Sequence, residues 1–398
     1  MEWVKNEEHA LPVKSWCAEV ESGALVQAHN LARHPALFHH VALMPDCHTG
    51  YGMPIGGVVA AKNAVIPSAV GVDIGCGMVA VETDVPAERL AEMAFRRAIQ
   101  QKVKTRIPVG EGVYHQEKQE WEGFEEYLDR NGAVQFVTSL DRHNLGTLGG
   151  GNHFIEIQKS DAGAVWLMIH SGSRNLGKRV EEFYHQRAAK LNEAYFVKLP
   201  DPDLAFLPIG EADGHNYYRD MNFALRYARE NRRRMMEVLK SVFSEFVPEA
   251  QFVRTIDIHH NYAAFEEHFG ETVCIHRKGA TSAKSGEIGI IPGSMGTASY
   301  IVRGLGNPGS FMSSSHGAGR AMSRIAACDN LTVEECDRAM EGIVCERWKP
   351  FRRYGRGRGL TDLSEAPQAY KPIDEVIAAE SDLVEVVTRL TPLASLKG

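Results

Sequence analysis

Long apolar runs are absent from this chain. Nothing in its 398 residues approaches the length needed to span a bilayer, and the opening stretch, Met1 to Lys14, is charged and lacks the apolar core of a secretory leader. A cytoplasmic protein without membrane contacts is expected. Paired cysteines are absent too: Cys17, Cys47, Cys76, Cys274, Cys328, Cys336 and Cys345 are odd in number and include no C-x-x-C, which argues against a disulfide framework or a zinc ribbon. No Ser/Gly/Pro-rich linker or break in composition divides the chain, so a single domain covering 1–398 is expected. Excess positive charge is also missing. With a formal net charge of −7, any contact with nucleic acid must come from a local patch. One stretch qualifies, RWKPFRRYGRGR at 347–358, where Arg347, Lys349, Arg352, Arg353, Arg356 and Arg358 are interleaved with Trp348, Phe351 and Tyr354; on charge alone a solvated basic loop fits equally well.

What the chain does have is apolar content of 44%, enough for a large core, and glycine gathered in short loops. These read DCHTGYGMPIGG (46–57), GVDIGCGM (71–78), GTLGGGNHF (146–154), HSGSR (170–174), PGSMG (292–296) and HGAGR (316–320). Such loops let backbone N–H groups approach a ligand closely. Short β-branched or apolar runs predict buried strands at 70–72, 79–81, 154–157, 165–169, 273–276 and 288–291. Helical spacing of apolar residues predicts helices at 86–102, 177–197, 217–245 and 373–390. Strands interspersed with long helices, without strict βαβ alternation, point to a mixed α+β fold: central sheets, surrounding helices and Gly-rich site loops.

Several of the glycine loops and one HHN segment carry a potential ligand: Asp73 and Cys76 in VDIGCG, His153 in GNHF, His170 in HSGSR, and His260 in DIHHN. One Cys, three His and one Asp make a mixed S/N/O set suited to borderline divalent ions rather than Mg or Ca. Taken singly, each histidine is better read as a satisfied core or loop histidine, and Cys76 as an inert buried thiol. His316, flanked by glycine in HGAGR, is a candidate nucleophile, a further ligand or a plain loop histidine. A lysine nucleophile in a K-x-D-G setting is not available, since the only D-G pair, Asp213-Gly214, follows Glu211.

The ordered series VGVDIGCGM, GTLGGGNHFIE, HSGSR, HHNYA, RKGA, PGSMGTASY and HGAGR, followed by AYKPID (369–374) and SLKG (395–398), resembles the RtcB family of RNA ligases from about Pro45 to Gly398. The resemblance implies that Asp73, Cys76, His153, His170 and His260 hold two Mn²⁺ ions, with Cys76 bridging them. It makes His316 the residue that is guanylylated, with Asp46 and Arg320 beside it in catalysis. Asn152 and Arg320 would lie near phosphate oxygens, Ser299 and Lys397 at the guanine edge, Tyr370 stacked on the base and Glu156 hydrogen-bonded to it. Ser294, Gly317, Ala318 and Gly319 complete the implied nucleotide contacts. Lys278 in RKGA is implied to be a phosphate or loop contact. Asp46 and His48 match a family motif, but Cys47 stands where many members have an aliphatic residue, which leaves open whether it touches the site or only packs.

The implied chemistry begins with attack of His316 on the α-phosphorus of GTP. An RNA 3′-phosphate, formed by opening of a 2′,3′-cyclic phosphate, then takes the GMP, and a 5′-hydroxyl end displaces it to make the joint. RNA with those ends is the implied partner, and whether an archease-type activator is needed as well is left open. Two other readings stand beside this one: a metal-dependent cyclic phosphodiesterase that joins nothing, and a non-catalytic RNA-binding protein using 347–358.

Overall fold

The computed structural model describes residues 1–128, 135–350 and 360–398. Most of the basic stretch, from Phe351 through Arg358, therefore lies outside the described residues. Two large sheets organise the rest. The first runs in the order Trp3–Lys5, Val13–Ser15, Leu37–His48, Ile55–Ala61, Glu271–Lys278, Asn261–His268; its pairs are antiparallel except that Val13–Ser15 lies parallel to Leu37–His48. The second is antiparallel, in the order Phe252–His259, Gly77–Pro86, Ala164–Ser171, Phe154–Ser160, Val384–Lys397, Ser299–Gly304, Ile288–Ile291.

The helix Ala212–Phe246 covers one face of the second sheet. Its Met235, Leu239 and Val242 recur at helical spacing and pack on Val79, Val81, Ile155, Leu167 and Ile169. Each such side chain withdrawn from water contributes roughly 1.5–3 kcal/mol, so this seam fixes the helix to the sheet. A second apolar cluster holds residues of both sheets, including Met44, Val58 and Ile275 from the first and Tyr300, Val302 and Val384 from the second.

Register is what builds a site at one end of the second sheet. Gly77 pairs with both His259 and Ser171, and His170 pairs with Met78 and Phe154. Cys76, His260 and His153, each one residue beyond a paired strand end, are thereby gathered around His170. On the far side of Phe154–Ser160, Phe154 pairs with Lys397 and Glu156 with Ser395, which brings the end of the chain to the same place.

The α+β class and the strands at 79–81, 154–157, 165–169, 273–276 and 288–291 are observed, as are long helices at Leu176–Ala194 and Ala212–Phe246. Three readings need correction. Residues 70–72 are not a strand: Pro67–Val70 is a short helical turn opened by Pro67, and Gly71 (φ 91°) ends it. The helix expected at 86–102 is a 3₁₀ turn, Ala87–Leu90, followed by a helix at Met93–Arg106. The helix expected at 373–390 stops at Ala379, and Val384–Lys397 is a strand. Ile373, Val376 and Ile377 do follow helical spacing, but the β-branched run Val384, Val386, Val387, Thr388 favours extended backbone and finds two strand partners distant in sequence.

Candidate metal and nucleotide site

Cys76 Sγ lies 3.2 Å from His170 Nε2 and 3.5 Å from His153 Nε2. His170 Nε2 is 3.4 Å from His260 Nε2, and His153 Nε2 is 3.3 Å from Asp73 Oδ2. The five side chains thus form two overlapping sets, Cys76-His170-His260 and Asp73-Cys76-His153, with the ligand atoms of each set within 4.8 Å of one another. Close approach is possible because position 172 is glycine: a Cβ there would stand 2.4 Å from Asp73 Oδ1.

Protonation states suit cation binding. Burial pushes the His170 and His260 imidazoles far below their ordinary pKa, so both are neutral at neutral pH. His170 Nδ1 faces the Asn152 carbonyl at 3.2 Å and must donate to it, which leaves the lone pair on the Nε2 that points at Cys76. Burial works to raise Asp73, but His153 and the Cys76 thiol beside it hold its carboxyl below the usual range. Cys76 is the exception: burial and the Asp73 charge push its thiol well up, so it stays protonated unless a cation is there to stabilise the thiolate. A buried thiol with neutral imidazoles and a carboxylate fits one or two borderline divalent cations, and Cys76 alone belongs to both sets.

His316 stands next to this group, its ring 4.9 Å from that of His260. Asp46 Oδ2 accepts from the His316 backbone N–H at 3.1 Å and faces Nδ1 at 2.5 Å. A neutral ring whose Nδ1 donates to this carboxylate carries its lone pair on Nε2, and the ring lines an open cleft. The loop turns tightly against Asp46 at Gly319 (φ 70°), where a Cβ would come within 2.2 Å of the Asp46 carbonyl oxygen. One residue before His316, the buried Glu380 accepts from the Ser315 N–H (2.9 Å) and hydroxyl (2.6 Å), pinning the loop from its other end.

The same cleft is lined by His170, Asn152, Gly317, Ala318, Gly319, Arg320, Tyr370 and Lys397. Arg320 lies over the Tyr370 ring, 5.1 Å from its centroid. Glu156, Ser299 and Ser294 are buried away from that lining. Glu156 accepts from Gln158 Nε2 (2.7 Å) and Ser395 Oγ (2.9 Å), and Gln158 Nε2 also donates to Ser299 Oγ at 3.1 Å. Burial pushes the Glu156 carboxyl up to about 7, with Lys397, Ser395 and Gln158 pulling the other way. Ser294 closes the PGSMG turn through Thr297. Lys278 props two loops, donating to the backbone carbonyls of Tyr51 and Ser68. Cys47 is fully buried and packs with Cys17 in an apolar cluster, so it is a core residue.

The chain as a whole has clear relatives. A model of the family described as tRNA-splicing ligase RtcB matches residues 27–398. The chain belongs to the RtcB family. It is 40% identical to the RNA-splicing ligase RtcB of Escherichia coli strain K12 over 97% of both chains. It is 33% identical to that of Mycobacterium bovis, with 94% of this chain and 100% of the relative covered, and 32% identical to the tRNA-splicing ligase RtcB of Thermococcus kodakarensis, with 94% and 91% covered.

Sequence reasoning missed residues that act one layer out from the RtcB-type motifs. Arg232, in the middle of the long helix, is fully buried and donates to the Gly75 and Ser171 carbonyls at 2.9 and 3.0 Å, tying the Cys76 and His170 loops together. No local signal marks it, since the adjoining Arg233 and Arg234 look the same in sequence and pair with Glu230 instead. Arg324 and Glu365 at the cleft were missed as well, although Glu365 sits four residues before AYK.

Proposed function

We propose that this RtcB-family protein is an RNA ligase that joins a 3′-phosphate or 2′,3′-cyclic phosphate end to a 5′-hydroxyl end, using GTP and Mn²⁺ through a guanylylated His316. The observation that carries the reading is the His316–Asp46 pair, set against the Cys76 group on one side and the cleft on the other. Asp73, Cys76, His153, His170 and His260 would hold the cations, whose positive charge would offset the charge that builds on phosphate oxygens.

In the first step His316 Nε2 attacks the α-phosphorus of GTP; a P–N bond forms and pyrophosphate leaves. Asp46 keeps the proton on Nδ1 and stabilises the positive charge the imidazole acquires. Asn152 and Arg320 steady phosphate oxygens, while Tyr370 and Lys397 serve the guanine from the cleft lining and Ser299 and Glu156, buried beneath that lining, would serve it from below. A carboxylate matches the adjacent N1–H and N2–H₂ donors of guanine and would be left unpaired by adenine. Where the RNA ends in a 2′,3′-cyclic phosphate, water adds to its phosphorus and the P–O2′ bond breaks, leaving a 2′-hydroxyl and a 3′-phosphate. An oxygen of the RNA 3′-phosphate then attacks the GMP phosphorus, breaking the P–N bond. Finally the 5′-hydroxyl attacks the activated 3′-phosphorus, and GMP departs as the 3′,5′ linkage forms.

The deciding experiment is incubation with α-labelled GTP and Mn²⁺, then mapping of covalent label. A P–N adduct on His316, labile to acid and stable to alkali, is expected. Label on Lys278 or on a hydroxyl would refute the mechanism.

A further inference from the structure

One carboxylate that none of the motifs contains gathers the wall of the cleft. Glu365 Oε1 accepts from Arg320 Nη1 at 3.3 Å and from Arg324 Nε at 3.4 Å, while Oε2 accepts from the Tyr370 hydroxyl and from Lys397 Nζ at 3.4 Å. All four donors line the cleft, and they come from three separate segments of chain. Glu365 itself is largely buried, its side chain 11% exposed. Backbone contacts set the frame: Ala321 N–H donates to the Ala369 carbonyl and Lys371 N–H to the Gly319 carbonyl, so the His316 loop and the Tyr370 segment run side by side. Arg320 is also fixed at its far end by the Ser364 carbonyl at 2.6 Å. Among the described residues, Lys397 Nζ hydrogen-bonds to Glu365 alone, and the Tyr370 hydroxyl meets Glu365 and Arg320.

We infer that Glu365 is a positioning residue for the nucleotide: it holds Tyr370 and Lys397 where they meet the base and aims Arg320 along the cleft, without touching the reacting atoms. The inference rests on the nucleotide reading of the cleft given above. Its physical basis is that the Lys397 and Arg324 cations and the Tyr370 phenol would otherwise have to be ordered when the nucleotide binds, at the expense of affinity, and that Arg320, held besides by the Ser364 and Met322 carbonyls, would lose one of its anchors. The sign of the effect separates this role from a second one. Were Glu365 only a negative charge opposing the triphosphate, its removal would tighten binding; as an anchor, its removal must weaken binding.

The test uses the full-length protein carrying His316→Ala, so that binding is read without chemistry, with Glu365→Gln, Glu365→Asp or Glu365→Ala added. Equilibrium titration with GTP gives Kd, thermal unfolding gives Tm, and the same Glu365 variants on the intact His316 background give the rate of GMP transfer at saturating GTP. Glu365→Ala should raise Kd about tenfold or more, the scale of one charge-assisted hydrogen bond lost on binding, while the saturated transfer rate falls much less. Glu365→Gln keeps an acceptor for Tyr370 and should lose less than Glu365→Ala. Adding Tyr370→Phe to Glu365→Ala should weaken binding by less than the product of the two single effects.

An unchanged or lower Kd in Glu365→Ala overturns the inference, as does a fall in Tm with Kd unchanged, which would mark a purely structural acid. Should Glu365→Ala fail to fold, Glu365→Gln decides by the same criteria. Absence of a GMP adduct in the parent protein would instead remove the guanylylation reading, while the Kd comparison would still judge the anchor.

Discussion

Around Cys76, strand register brings Cys76, His153, His170 and His260 together at or beside strand ends, and Asp73 joins them from the turn that precedes Gly77. On the Tyr370 side the parts come instead from the HGAGR loop, the 364–371 segment and the last strand, and buried acids hold them: Glu365 at the cleft and Glu156 beneath it. The candidate metal side is built chiefly on backbone pairs, with Arg232 tying two of its loops together. The proposed nucleotide side is a network of side-chain hydrogen bonds. Damage should therefore be close to all-or-none in the first region and graded in the second.

His316 joins the two regions, and breaking it should have the largest effect. His316→Ala removes the imidazole that pairs with the Asp46 carboxylate and lines the cleft beside the Cys76 group, so RNA joining should fall by at least about 10⁴-fold, as expected when a nucleophile is lost. Lys278→Ala should keep a measurable adduct at reduced yield, because Lys278 supports the loops through Tyr51 and Ser68. Gel assays of joined RNA for both variants check this, and substantial joining by His316→Ala would dismiss the assignment.

Next in size is Cys76→Ser. A serine hydroxyl is not ionised at neutral pH and cannot replace a thiolate shared by both ligand sets, so metal content measured on the purified protein should drop together with guanylylation. Equal metal content in variant and parent would break the two-set description. A loss confined to activity would mean that Cys76 serves chemistry without holding a cation.

The same contrast governs what the sequence made legible. The candidate ligands could be named because the ordered motifs that hold them tied them to one family; singly, none of them stood out from a core or loop residue. Arg232 gave no such signal: it is one arginine in a run of three on an amphipathic helix, and only burial separates it from Arg233 and Arg234. Glu365 is likewise an ordinary acid until Tyr370 and Lys397 are folded against it. The closing strand was misread for a related reason. Ile373 to Ile377 does begin a helix, and what ends it is the pairing of Val384–Lys397 with Phe154–Ser160, a partner more than two hundred residues upstream that local periodicity cannot see.

A smaller, pH-dependent effect sharpens the nucleotide side. In the proposed recognition Glu156 must be ionised to match both donors of guanine, and its carboxyl is pushed up to about 7, first by burial, against the pull of Lys397 and of the Ser395 and Gln158 donors. The raised acid is charged above that value and neutral below it, so preference for GTP over ATP should be present at about pH 8 and eroded at about pH 6. Glu156→Gln should flatten this profile, and Glu156→Ala should cost on the order of 1–3 kcal/mol of preference, typical of a buried polar group left unpaired. Competition of GTP against ATP in GMP transfer, read across that range, is the measurement. A GTP-to-ATP ratio that stays constant with pH and in both variants would place guanine recognition elsewhere.

The smallest effect is expected where a cysteine near the site belongs to neither region. Cys47 follows Asp46 directly, yet its side chain is fully buried and packs with Cys17, Val41, Met53 and Val59 rather than facing the cleft. Its backbone carbonyl, which accepts from Lys371 Nζ at 2.8 Å, survives any side-chain replacement. Cys47→Ala therefore removes one sulfur from a packed core and should lower stability by about 1 kcal/mol, leaving metal content and the GMP adduct near parental levels. Thermal unfolding and metal analysis of Cys47→Ala beside Cys76→Ser make the comparison direct, since both replace a buried cysteine. If Cys47→Ala lost metal or adduct as Cys76→Ser does, the division between a ligand cysteine and a packing cysteine would fail, and Asp46 would have to be regarded as held in place through its neighbour's side chain.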